Sequence, residues 1–178
     1  MPTESYWENP TDSALRQGSY ILNCPVPVFA EFPMQTEKEV ELIVDIRFQD
    51  LIIVTQSCDL EQNKTRFVAL CPIYSLEKYE QFNSEFLKKS RWEEVRKGRI
   101  EGLYLLSSPT NPENNRECLV VDFREIYSLP FEFLTKHADT LENRWRLKPP
   151  YLEHFSQAFA RFFMRVGLPA TFRHLDKC

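Results

Sequence analysis

The stretch "VELIVDIRFQDLIIVT", Val40 to Thr55, decides how the chain is read. In its first part Val40, Leu42, Val44, Ile46 and Phe48 share one face, while Glu41, Asp45 and Arg47 lie on the other with Ile43. A period of two is the pattern of a half-buried strand. Gln49-Asp50 is a short turn candidate. Leu51 to Thr55 is almost continuously apolar, which predicts a second strand covered on both faces. Strands joined by so short a link have no room for a crossover helix, so they pair antiparallel.

The same pattern extends outward. "GSYILNCPVPVF", Gly18 to Phe29, predicts a strand that Pro25 and Pro27 confine to an edge, because proline cannot donate to a ladder. "RFVALCPI", Arg66 to Ile73, "GLYLLSS", Gly102 to Ser108, and "CLVVDFREIYSL", Cys118 to Leu129 with a bend near Arg124, predict further strands; Glu142 to Leu147 predicts a shorter one. Leu76, Tyr79, Phe82, Phe86 and Leu87 recur near helical spacing. Ser90-Arg91-Trp92-Glu93 has the form of a capping box before a helix ended by Gly98. Between the strands, Glu31 to Lys38 and 56–65 read as loops. In the polar segment 1–17, Asp12 is a candidate cap for a helical turn ending at Gly18.

The last helix, from Tyr151 to Gly167, starts after two prolines and carries an apolar stripe of Leu152, Phe155, Phe159, Phe162, Phe163 and Val166. The predicted fold is α+β, mainly β. It is a single domain, 1–178, built on a small antiparallel, strongly curved sheet or SH3-like barrel, with a helical insertion at 76–98 and a C-terminal amphipathic helix.

Composition excludes several functions. A net charge of -4 argues against a general nucleic-acid binder but leaves room for a local basic groove. With four glycines and neither GxGxxG nor GxxxxGK[ST], a phosphate-cradling loop has no material. No run approaches the ~20 apolar residues of a membrane span, and the acidic start lacks the form of a signal peptide. The expectation is a cytoplasmic protein without membrane contact. The five cysteines, Cys24, Cys58, Cys71, Cys118 and Cys178, are odd in number and widely spaced, without CxxC or CxxH. Reduced thiols fit this better than a zinc site, and no metal or cofactor is expected.

Chemistry-bearing candidates are few. Cys58 sits in "QSCD", with Gln56, Ser57 and Asp59 around it. A nucleophilic cysteine needs a base, and His137, His154 and His174 are all distant in sequence. Gln56, Ser57 and Asp59 read more naturally as groups that bond loop backbone. The carboxylates Asp45, Asp50, Asp59 and Glu61 lack a lysine at nuclease spacing, since Glu61 and Lys64 alternate to opposite faces of a strand. The cations of Lys88 to Arg99 are diluted by Glu93 and Glu94. Arg144, Arg146, Arg161 and Arg165 form a second basic group, the preferred candidate for an anionic partner if the last helix folds back on the 142–147 strand.

With these strands in order, "RQGSYIL" at 16–22, "QDLIIVTQ" at 49–56, "FVALCPIYS" at 67–75 and "CLVVDFREIYSLP" at 118–130 resemble small barrels of the MazF/PemK toxin type. The resemblance implies a metal-independent endoribonuclease in a bacterial toxin-antitoxin, stress or defence setting. It also implies an Arg at the start of the strand matched by 49–56 and a Thr or Ser in the turn that closes the strand matched by 67–75. Ser75 matches that turn, whereas Tyr74 stands where Thr is usual and Gln49-Asp50 replaces Arg-Pro. Arg47 or Arg66 would have to supply the missing cation that stabilises the transition state. The catalytic candidates are therefore Arg47, Arg66, Ser75 and Cys58. Gln56, Ser57, Asp59, Arg144, Arg146, Arg161 and Arg165 are the binding candidates. The expected function is RNA binding or cleavage, or a non-catalytic protein-protein interaction on the same scaffold. The partners would be RNA or a protein, and a homodimer is compatible with either.

Overall fold

The computed structural model describes residues 5–29, 44–62 and 64–164, with the side chain of Phe29 excepted. The strands are β1 (Trp7–Glu8), β2 (Ser19–Phe29), β3 (Val44–Ile53), β4 (Phe67–Ser75), β5 (Leu103–Leu106), β6 (Leu119–Asp122), β7 (Tyr127–Pro130) and β8 (Trp145–Leu147). The helices are α1 (Ser57–Glu61), α2 (Leu76–Phe82), α3 (Lys89–Arg96), α4 (Phe131–Ala138) and α5 (Tyr151–Phe163), with short 3-10 turns at Ser84–Leu87 and Asn115–Glu117. The protein is α+β, with an eight-stranded sheet in the order β1-β8-β2-β3-β4-β6-β5 and β7 beside β4. Every strand pair is antiparallel.

The sheet curls but is not closed by a ladder. Instead the Trp7 indole N–H, on the β1 edge, donates to the carbonyl of Ser107, just past the β5 edge, at 2.7 Å. Trp7 and Leu106 are buried in the same cluster. One side-chain hydrogen bond and shared apolar burial therefore join the two edges where the barrel reading expects strand pairing.

Strand β3 is the spine. Leu51, Ile52 and Ile53 are fully buried. Leu51 and Ile53 face a cluster closed by Leu134 and Ala138 of α4, while Ile52 faces one closed by Phe155 of α5. Alternation on a strand covered by a helix on each face requires this division. A third cluster holds the helical insertion, where Tyr79, Phe86 and Trp92 pack on Leu103 and Val120. There Glu80 accepts from the Trp92 indole at 2.9 Å and from both terminal nitrogens of Arg116.

Several expectations are corrected. Gln49-Asp50 is not a turn, and β3 runs through it unbroken. Asp50 accepts from the Tyr20 hydroxyl at 3.0 Å and from the backbone N–H of Asn23 at 2.7 Å. Gln49 donates across to the carbonyl of Ile73 at 3.0 Å. These polar side chains fasten β3 to its neighbours. Asn23 lies in the β2 bulge at φ 47°, a left-handed conformation that asparagine tolerates.

Val44 to Phe48 are exposed on both faces, so this half of β3 is not half-buried. Val40–Ile43 lie outside the described residues, as do the expected loop 31–38 and the end of the last helix with Val166 and Gly167. The 118–129 stretch divides into β6 and β7, because Arg124 folds back on Asp122 through its backbone N–H and guanidinium. No capping box forms at Ser90: the preceding 3-10 turn feeds straight into α3, whose N-cap is Lys88. Asp12 caps no helix; its carboxylate accepts from Ala14 N–H in a turn. The polar stretch after β3 contains α1, anchored by buried Leu60, and the helix α4 has its apolar Leu134 and Ala138 four residues apart.

Candidate binding surface

Strand β3 is longer than its partner on one side. Its pairing with β4 spans Asp50 to Ile53, whereas its pairing with β2 continues to Val44. The mismatch arises at Ser75, where β4 ends: the Ser75 hydroxyl accepts from Lys78 N–H at 3.2 Å and caps α2. The chain thus coils away where further β4 residues would have met β3. Among the described residues, Val44 to Gln49 have a ladder neighbour on the β2 side only.

The gap so created is a groove of about 520 Å³. Val26, Arg47, Phe48 and Gln49 form one wall, Tyr74, Lys78 and Phe82 the other, and Glu125 and Tyr127 complete it. Val44, Ile46, Phe48 and Phe82 are 46%, 57%, 60% and 52% exposed, so apolar surface borders it at both walls. Tyr74 donates to Glu125 at 3.2 Å. Burial, with Glu125 second, pushes the Tyr74 phenol well above its ordinary pKa, so it stays protonated. Lys78 lies 5.6 Å from the Tyr74 ring centroid. Neither Lys78 nor Arg47 is held in an ion pair among the described residues.

The structure separates the catalytic candidates. Arg47 lines the groove and Ser75 lies at the same end of β4, with its hydroxyl committed to the cap. Arg66 precedes β4 at the opposite end, roughly 30 Å away at the rise of an extended strand. Its carbonyl accepts from Phe131 N–H. Cys58 is exposed on α1, past the far end of β3, with its thiol against the side chains of Gln56 and Asp59. Among the described residues no histidine is bonded to it. Gln49 and Asp50, where the toxin pattern has Arg-Pro, are strand fasteners.

The loop candidates take part in local hydrogen bonds. Gln56 provides the carbonyl that starts α1, Ser57 accepts from Gln17 N–H at 3.1 Å, and the Asp59 carbonyl accepts from Lys64 N–H. Among the described residues, no group of three His, Cys, Asp or Glu side chains could hold a metal ion, and Cys24, Cys58, Cys71 and Cys118 are free thiols.

The second basic group does not assemble into one patch. Trp145 and Leu147 pack toward α5, so alternation turns Arg146 to the opposite face. There it is buried, bonded to Asp12 and to the carbonyl of Ala14. Arg144 donates to the carbonyl of Ser13, while Arg161 lies on α5, and Arg165 is outside the described residues. Among the described residues no helix is long and apolar enough to cross a membrane.

No known family, curated protein or solved structure matches this chain.

Sequence reasoning missed Tyr74, Lys78, Phe82, Glu125 and Tyr127 as a group. Phe82 falls at helical spacing with Leu76 and Tyr79, which says nothing of its exposure.

Proposed function

We propose that this protein is a non-catalytic protein-protein interaction module on a small-barrel-like scaffold, which takes an extended segment of a partner along the free edge of β3. The observation that carries this reading is the unmatched length of β3, Val44 to Gln49, beside a groove walled by exposed Phe48 and Phe82. An open strand edge supplies backbone donors and acceptors in register with an incoming strand, and pockets for alternate side chains supply selectivity. Catalysis is the weaker reading, because Arg66 and Cys58 stand far from Arg47 and Ser75.

RNA binding in a toxin-like, cytoplasmic setting is the second reading. What favours it is Arg47 and Lys78 beside exposed Phe48 and Phe82, the combination of cations and stacking rings that holds single strands.

The test is a selection of random peptides on the purified protein, with Phe48→Lys as the counter-target. Peptides retained by the wild type and lost on the variant, with backbone amide shifts confined to 44–49 and 76–82, are expected. An RNA pool incubated in parallel with EDTA is expected to stay intact. Discrete RNA fragments, or no selective peptide, would overturn the reading.

A further inference from the structure

A second groove is larger and chemically different. It holds about 580 Å³ between α5, β5 and the turn at Gly98–Gly102. Its walls are aromatic. Tyr6 and Tyr151 stack with centroids 4.0 Å apart and planes at 14°. Tyr104 lies beside Phe123, and Phe162 borders Phe123 in turn. Along α5 the lining residues are Tyr151, His154, Ala158, Arg161 and Phe162, one helical face roughly 15 Å long at ~1.5 Å per residue. The small side chain of Ala158 leaves the middle of this face open.

Polar groups converge there without partners. Tyrosine hydroxyls in apolar surroundings ordinarily find a hydrogen bond. Yet the hydroxyls of Tyr6, Tyr104 and Tyr151 make none among the described residues. Ser107, itself 7% exposed, lines the same groove with its Oγ buried and unpartnered. Burial pushes the Tyr104 phenol up to about 12 and raises Tyr6 as well, so both remain donors at neutral pH. At the lip, Arg96 is held by Glu93, Glu101 provides a carboxylate, and His154 is exposed. The Arg161 guanidinium has no ion pair or hydrogen bond among the described residues.

We propose that this groove is a binding site for a small planar aromatic anion, of the size and chemistry of a nucleoside monophosphate. The ring lies against the aromatic walls, its heteroatoms meet the tyrosine hydroxyls, and the anionic group reaches Arg161. A mostly apolar cavity of this size with a few convergent polar groups is the common form of a small-ligand site. A site whose donors are otherwise unmet selects ligands that satisfy them. This site is separate from the β3 edge and does not depend on the function proposed for that edge.

The experiment is calorimetric titration of the full chain with AMP, and separately with adenosine and with inorganic phosphate. Saturable AMP binding is expected. Adenosine and phosphate alone should each bind at least about tenfold more weakly, because each satisfies only part of the site. Arg161→Ala, an exposed position, should weaken AMP about tenfold and leave adenosine unchanged. Tyr104→Phe keeps the ring and should weaken AMP about fivefold, the order of one hydrogen bond. Circular dichroism checks that both variants fold. Absence of AMP binding at millimolar concentration, adenosine or phosphate binding as tightly as AMP, or AMP affinity unmoved by both substitutions would each overturn the proposal.

Discussion

Asp50→Ala is expected to destabilise the protein by about 3 kcal/mol. The carboxylate accepts two hydrogen bonds, from the Tyr20 hydroxyl and from Asn23 N–H. Tyr20 is only 5% exposed, so its hydroxyl would lose its partner inside the protein. Bonds to a charged group contribute about 1.5–3 kcal/mol each, and stranding a buried donor costs a further share. The Asn23 bond also holds the β2 bulge, which partial water access there offsets. In a chain of this size, each kcal/mol moves the melting temperature by roughly 2–4 °C, so a fall of roughly 6–12 °C is expected. Urea unfolding with an unchanged slope would measure the free energy directly. Tyr20→Phe should cost about 1–2 kcal/mol, and the double variant should fall short of the sum, because both remove the same bond. A midpoint within a degree of wild type for Asp50→Ala, or full additivity in the double variant, would refute the assignment of Asp50 as a strand fastener.

Two further outcomes follow from the fold. Trp7→Phe keeps most of the ring but deletes the indole donor that reaches Ser107, and should cost about 1–2 kcal/mol in urea unfolding, with faster amide exchange in both β1 and β5. A loss confined to β1 would refute the edge-to-edge seam. Glu80 is held below its ordinary pKa of 4.5, chiefly by the hydrogen bonds from Arg116. Its contribution is complete above that ordinary value and is lost as pH falls through the depressed folded value. Glu80→Gln should therefore be less stable than wild type by about 1 kcal/mol at pH 7, since the Arg116 partner is largely exposed. The gap should narrow as pH falls below 4.5 and through the depressed folded value; a constant gap across that range would count against the ion pair.

Much of the sheet was legible because strand signals are local. Leu51 to Thr55 has apolar residues on both faces, and the fold covers both, since a strand cannot otherwise bury consecutive side chains. Pro25 and Pro27 announced an edge, and β2 has β8 beside it only at Ser19 and Tyr20. The bend at Arg124 is a real break, because one side chain ties back to Asp122. The α4 helix was less visible: its Leu134 and Ala138 pattern is short and begins at the end of a strand.

The candidate surfaces were less legible than the strands because they arise from differences between elements. Alternation told which residues of "VDIRF" share a face, but not that β4 would coil into α2 and leave the strand's edge unpaired. Arg146 and Arg161 are both cations in sequence, yet strand alternation buries one against Asp12 while helix periodicity sets the other on a groove. Side-chain type and local period are properties of neighbouring residues, and the sequence by itself determined those. Which edges remain open, and which polar groups lack partners, depends on what distant segments bring to the same place. Only the tertiary structure decided that.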